Sequence, residues 1–303
     1  MKKTTIGALI VGIIIVLVGV YFFTQRSSDT LSVTPGQGTT TAATSSPDQA
    51  NTEPVDESKT VIGASVEKRD LTAYHYGTGE KELLFIGGIH GGYEWNTVLV
   101  AYELMDYLEA NPEVIPENIK VTVIPVLNPD GLNKVVGSTD RFTRADVSTS
   151  RETVIAGRLN GHGVDLNRNF DCDWQASAIW QKTKVSGGTE AFSEPESQAF
   201  KNYIESHDPV AVTVWYSAAG GVFASRCDNG ILPGTETLVK TYADASGYKA
   251  YNSFDYYETT GDITSWLAKK DIPAISVILS THEDTEWNKN KAGVLALIKY
   301  YAK

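Results

Sequence analysis

The chain passes through three regimes of apolar and polar patterning. From Ile6 to Phe23 the residues are apolar or small and carry no charge, with Lys2 and Lys3 just before them. Eighteen residues at 1.5 Å each reach about 27 Å, enough to cross a thin bilayer. A cleaved signal peptide is the rival reading. No small-x-small site follows Phe23, where Arg26 and two serines come instead, and this favours an uncleaved anchor. Lysines before the run and no basic cluster after it place the bulk of the chain outside the cytoplasm. From Gln25 to Thr60, Ser, Thr, Pro, Gln, Gly and Asp dominate, and ordering them would cost entropy with little burial in return. The expected layout is a short cytoplasmic segment (1–5), a single membrane span (6–24), a flexible stalk (25–60) and one domain (61–303).

Within that domain short apolar runs alternate with helical periodicity. Val61–Val66 and Leu71–Tyr76 read as strands joined at Lys68–Asp70. Leu83–Gly88 and Lys120–Leu127 read as buried strands, the second ended by an Asn128-Pro129-Asp130-Gly131 turn. Between them Trp95–Leu108 has the period of a helix. Ser193–Ser206 reads as a helix opened by a Ser-x-x-Glu capping box, Ser193 to Glu196. Val210–Val214 and Ala274–Leu279 read as strands, and Leu238–Gly247, Ile263–Lys269 and Asn290–Ala302 as helices. No internal repeat is present. The alternation predicts a single α/β domain with a largely parallel core sheet. In such sheets chemistry gathers at the carboxyl ends of strands. The segments falling there are His90–Glu94, Asn128–Arg144, Trp215–Gly221 and Ile278–Glu283.

Charge narrows the functional classes. With 37 acidic and 26 basic side chains among 303 residues, the net charge is −11. This argues against a nucleic-acid partner, and no Lys/Arg stripe offsets it. The two cysteines, Cys172 and Cys227, rule out a zinc-finger array. In an extracytoplasmic domain they read as one disulfide, with two buried thiols as the alternative.

Four clusters offer chemistry. His90-Gly91-Gly92-Tyr93-Glu94 follows a buried strand and opens a helix; imidazole and carboxylate suit zinc, and the glycines leave room for a substrate. The alternative is a helix start with an incidental histidine. Asp165-Leu166-Asn167-Arg168-Asn169-Phe170 offers a guanidinium and an amide suited to gripping a carboxylate. Arg141 and Arg144 lie in another polar loop, as surface charges or as contacts for an anionic substrate end. Tyr257 precedes a helix whose N-cap position is held by Asp262, an acid equally suited to meet a substrate ammonium group.

Together these pieces resemble the zinc metallocarboxypeptidases of the carboxypeptidase A type, over about residues 65–303 and closest to the bacterial extracytoplasmic members. The resemblance implies a mixed twisted sheet of about eight strands with helices on both faces, one Zn2+ ion, and action on the C-termini of peptides or of peptidoglycan stem peptides. It assigns His90 and Glu94 as the first two zinc ligands, spaced His-x-x-x-Glu where the family has His-x-x-Glu. It makes Arg144 the carbonyl-polarising arginine, Asn167 and Arg168 the grip on the terminal carboxylate, and Tyr257 the mobile substrate-binding tyrosine. Asp262 and Thr264 fall in the pocket floor, where an acid suits a basic or amino-bearing side chain such as a diaminopimelate end.

Two central positions depart from that pattern. Tyr216 stands where the family has its third zinc ligand, a histidine, and Ile278 stands where it has its catalytic glutamate. A neutral phenol substitutes poorly for imidazole, and an isoleucine neither accepts nor donates a proton. General acid–base catalysis typically supplies about 10²–10⁴-fold, so weakened zinc binding and hydrolysis are expected. His282 and Glu283, just past the strand, are the nearest substitutes. Three functions compete: a membrane-anchored metallocarboxypeptidase of reduced activity, a non-catalytic binder of peptide C-termini, and a structural extracellular domain with neither zinc nor carboxylate affinity.

Overall fold

A computed structural model describes residues 58–303. The expected membrane span and nearly all of the expected stalk lie outside the described residues. Among the described residues no helix is long and apolar enough to cross a membrane.

The chain runs β1 (Lys59–Ala64), β2 (Asp70–Tyr76), β3 (Lys81–Ile86), α1 (Trp95–Ala110), β4 (Ile119–Ile124), α2 (Pro129–Val136), α3 (Arg151–Ala156), β5 (Ser177–Trp180) and β6 (Thr183–Ser186). It continues with α4 (Pro195–His207), β7 (Ala211–Ser217), β8 (Gly221–Ala224), α5 (Pro233–Ser246), β9 (Ala250–Tyr251), α6 (Ile263–Lys269), β10 (Ala274–Leu279) and α7 (Trp287–Tyr301). Eight strands form one sheet in the order β1-β2-β4-β3-β7-β10-β8-β9, and β5 and β6 make a separate hairpin. The central β4-β3-β7-β10 run is parallel. Pairing is antiparallel for β1 with β2, β2 with β4, and β10 with β8, so the sheet is mixed as expected.

The alternation of side chains along each strand sorts the core into two layers. Leu83, Phe85, Trp215 and Val277 join Leu104 of α1, Tyr242 of α5 and Leu297 of α7 on one face. Leu84, Ile86, Tyr216 and Ile278 join Phe200 of α4 and Leu267 of α6 on the other. Each fully buried large side chain contributes about 1.5–3 kcal/mol, so both layers are strongly specified. This parity turns Tyr216 and Ile278 to the same face.

Two local readings are corrected. Asn128-Pro129-Asp130-Gly131 does not end the strand in a simple turn but opens α2. Asn128 caps it by accepting from the Gly131 N–H at 2.8 Å, and Pro129 occupies the first turn, where its missing N–H costs nothing. The Ser193–Glu196 capping box does not form. Glu194 is the N-cap residue of α4, and Glu196 is buried, accepting from Asn160 Nδ2 at 3.1 Å and the Val66 N–H at 3.2 Å. The first strand also begins earlier than expected, at Lys59, inside the span read as stalk.

Candidate active site

The carboxyl ends of β3, β7 and β10 open onto a cleft of about 1300 Å³. His90, Glu94, Asn167, Arg168, Tyr257 and Asp262 line it together, and so do Tyr216 and Ile278.

His90 follows β3, and a short 3-10 turn, Gly91–Glu94, folds Glu94 back toward it. The extra residue in His-x-x-x-Glu is thereby absorbed, and His90 Nδ1 lies 3.0 Å from Glu94 Oε1. The glycines serve packing rather than substrate access. Gly91 has φ 46°, and a Cβ there would stand 2.7 Å from the Gly157 carbonyl oxygen; one on Gly92 would meet the Val135 side chain at 2.3 Å. On the far side of the ring, His90 Nε2 lies 3.4 Å from Asp165 Oδ1. Among the described residues neither ring nitrogen nor Glu94 Oε2 has an aligned hydrogen-bond partner, although all three atoms are buried.

Arg158 escapes sequence reasoning and belongs at the centre of this cleft. Its guanidinium is 2% exposed. It donates to Asp165 Oδ2 from Nε at 2.9 Å, and its Nη1 lies 3.9 Å from Glu94 Oε1. The Trp180 ring lies 4.5 Å away. Burial alone would raise the Asp165 carboxyl, but the charges of Arg158 and Arg168 and the adjacent His90 outweigh it and hold the group far below the usual carboxylate range. The signal available in the sequence is an arginine seven residues before Asp165, with no other lysine or arginine between the two.

Arg144, by contrast, does not line the cleft. It is 65% exposed, pairs with Glu283, and lies in an adjoining recess. Glu283 lines that recess too, turned away from the cleft. Arg141 lies outside both, held by Asp106 of α1 at 2.8 Å and packed over the Tyr102 ring.

Asn167 and Arg168 line the cleft as neighbours with fixed side chains. Asn167 Oδ1 accepts from the Ile263 N–H at 3.1 Å and from the Tyr216 hydroxyl at 3.3 Å, which leaves Nδ2 as the free donor. Arg168 is fixed by donating to the carbonyls of Asn167 at 2.7 Å and Ile179 at 3.2 Å, while its buried Nε has no partner among the described residues. Tyr257 packs against Phe254; burial raises its phenol, partly offset by Arg158 and Arg168. Asp262 does cap α6, accepting from the Ser265 N–H at 2.9 Å and from Thr264 Oγ1, yet it also lines the cleft, so its two readings are compatible. Cys172 and Cys227 are joined in a disulfide, with Cα atoms 6.2 Å apart, at the cleft rim.

Tyr216 and Ile278 are direct register partners on parallel β7 and β10. They sit side by side in the cleft wall, 5% and 7% exposed. Burial, with the charges of Asp262 and Glu94, raises the Tyr216 phenol well above its ordinary value, so it stays protonated at neutral pH. His282 stands nearby with a defined tautomer. Asn96 Nδ2 donates to the carbonyls of Thr281 and Asp284, so Asn96 Oδ1 accepts from Ser217 Oγ at 3.0 Å. Ser217 then accepts from His282 Nδ1 at 2.8 Å, leaving Nε2 as the acceptor beside the Tyr93 hydroxyl at 3.3 Å. Burial lowers the His282 pKa, which keeps the ring neutral.

A catalytic zinc site takes three protein ligands plus water. At the positions the resemblance assigns to zinc ligands stand one imidazole, one carboxylate and a protonated phenol engaged with Asn167. No group of three or more His, Cys, Asp or Glu side chains suited to a metal occurs among the described residues. The residues present do not fit a catalytic zinc.

Comparison with known proteins agrees with this architecture. A family model described as zinc carboxypeptidase matches residues 48–274. A zinc carboxypeptidase from Simulium vittatum is 29% identical over 154 residues, covering 48% of this chain and 48% of that protein. The chain spans about half the length of that relative and 15–16% of the next two. Among solved structures, the murein-tripeptide amidase MpaA from Escherichia coli O157 superposes with a TM-score of 0.55 at 19% identity, over 80% of this chain and 91% of that one. Bovine thrombin-activatable fibrinolysis inhibitor, solved with tick carboxypeptidase inhibitor, gives 0.60 at 18% identity, over 80% and 88%. At such identities these structures speak to the fold.

Proposed function

Because the chain belongs to the zinc carboxypeptidase family, we propose that its cleft grips the free C-terminal carboxylate of a peptide without turning the peptide over efficiently. The observation that carries this is the pairing of Tyr216 with Ile278 in one register of the cleft wall. The resemblance places the third ligand and the proton-carrying carboxylate at those two positions, and neither chemistry is available from a protonated phenol and an aliphatic side chain.

What remains is a binding site. Asn167 Nδ2 and the buried Arg168 guanidinium offer donors to a carboxylate, a charge-assisted contact roughly twice as strong as a neutral one. Arg158 supplies a second positive group in the same cleft. Tyr257 lines the same cleft, and Asp262 and Thr264 suit an amino-bearing terminal side chain. Peptidoglycan stem peptides, ending in diaminopimelate, are the ligand class to test first. In this proposal the apolar run Ile6–Phe23 anchors the chain in the cell membrane with the folded domain outside the cytoplasm.

A second reading, weak cation binding with feeble hydrolysis, draws on the orphaned buried atoms of His90 and Glu94. A cation would satisfy them, and His282 Nε2 is the nearest neutral proton acceptor. Metal analysis of the full-length chain, purified in mild detergent, together with an assay of released C-terminal residues separates the readings. The proposal expects far less than one zinc per chain and negligible release. One tightly held zinc with rapid release would overturn it.

A further inference from the structure

Beside the cleft lies a second recess of about 760 Å³. The two cavities share Tyr93, Trp180, Gln181 and His282, so they adjoin along that line of side chains. With its terminal carboxylate on Asn167 and Arg168, a peptide that ran past Tyr93 and Trp180 would place its upstream residues in this space. The recess is therefore placed for the residues preceding the C-terminus, and this inference rests on the binding function proposed above.

Its chemistry differs from that of the surface at large. The chain carries a net charge of −11, yet the recess presents two guanidinium groups, Arg144 and Arg151. Arg144 is paired with Glu283. Arg151 is exposed, and no carboxylate partner or hydrogen bond of it occurs among the described residues. One positive charge in the recess is thus uncompensated. Val147, Val154 and Ile155 lie beside the arginines, apolar surface suited to the methylene groups of an acidic side chain.

We propose that this recess selects peptides bearing acidic residues just upstream of the C-terminus, with Arg151 as the principal contact and Arg144 released from Glu283 to assist. Exposed ion pairs are individually weak, so the preference is a matter of several-fold rather than orders of magnitude. It also shrinks as salt is added.

The test uses the full-length chain in mild detergent and two peptides with the same terminus, acetyl-Glu-Glu-Glu-Ala and acetyl-Gln-Gln-Gln-Ala, titrated by calorimetry. The expected result is roughly five-fold tighter binding of the acidic peptide, with the ratio falling toward one in the Arg144→Gln, Arg151→Gln double variant and in high salt. Both side chains are exposed, so the variant retains its fold. Equal affinity for the two peptides in the unaltered protein would overturn the inference and leave the carboxylate grip standing. A preference that survives the double variant would also overturn it. Binding of neither peptide would overturn both this inference and the function beneath it.

Discussion

In the function proposed above, Tyr216 and Ile278 decide the chemistry, and they do so as neighbours. Each alone removes one element of a hydrolytic centre, and their direct pairing across β7 and β10 makes them one local change. Tyr216→His alone is therefore expected to raise zinc content toward one per chain, and combined with Ile278→Glu to create measurable release of C-terminal residues as well, while Ile278→Glu alone does neither. Metal analysis and the release assay read both outcomes, and no gain from the pair would mean that the rest of the cleft is not preserved. At this scale most of the site is legible in the sequence, because His90 with Glu94, and Asn167 with Arg168, are near neighbours in the chain. Arg158 is not, since what makes it special is long-range: burial against Trp180 and pairing with Asp165, neither of which a spacing rule expresses. Arg144 misleads for the converse reason. The segment read as a turn opens α2, which redirects the chain, and the following loop delivers Arg144 to the outer recess.

The strands and longer helices of the core follow from periodicity, because burial on one or both faces writes itself into the order of residues. The ends of elements do not. At α4, Ser193 and Glu196 have the right spacing for a capping box, yet Glu196 is claimed by Asn160 and the Val66 N–H, so a tertiary contact wins over a local one. β8 and β9, of four and two residues, are too short to show a pattern. The loop from β10 to α7 is held by Glu286, which accepts from the Ser280 N–H at 2.7 Å, from the Tyr248 hydroxyl at 2.7 Å and from Lys289 at 2.6 Å. Burial opposes its ionisation, but Lys289, Tyr248 and Ser280 prevail and lower its pKa. A carboxyl whose folded pKa is depressed contributes stability above its unfolded value, near 4.3, and loses it as the pH falls through the folded value. Glu286→Gln is expected to lower stability at pH 7 by about 1–2 kcal/mol, with the difference from the unaltered chain vanishing in acid. Urea denaturation at several pH values checks this, and a difference independent of pH would contradict it.

On the scale of the whole molecule, the sheet places three parallel strand ends around one cleft, and a disulfide spanning 55 residues ties two of its rim loops together. Replacing Cys172 and Cys227 with serine is expected to cost about 2–4 kcal/mol and to weaken peptide binding. A lowered denaturation midpoint and a raised Kd are the readouts, and an unchanged midpoint would show that the crosslink contributes nothing. The larger claim is that a peptidase fold here retains its grip on the peptide end while lacking the means to cut. Calorimetric titration of a peptide into the full-length chain with zinc present tests both halves at once, since binding gives a saturating heat and turnover a continuous one. The account predicts saturation at one peptide per chain for the free acid, no binding of the C-terminal amide, and no continuing heat. A sustained, zinc-dependent heat of hydrolysis, or equal binding of acid and amide, would contradict it.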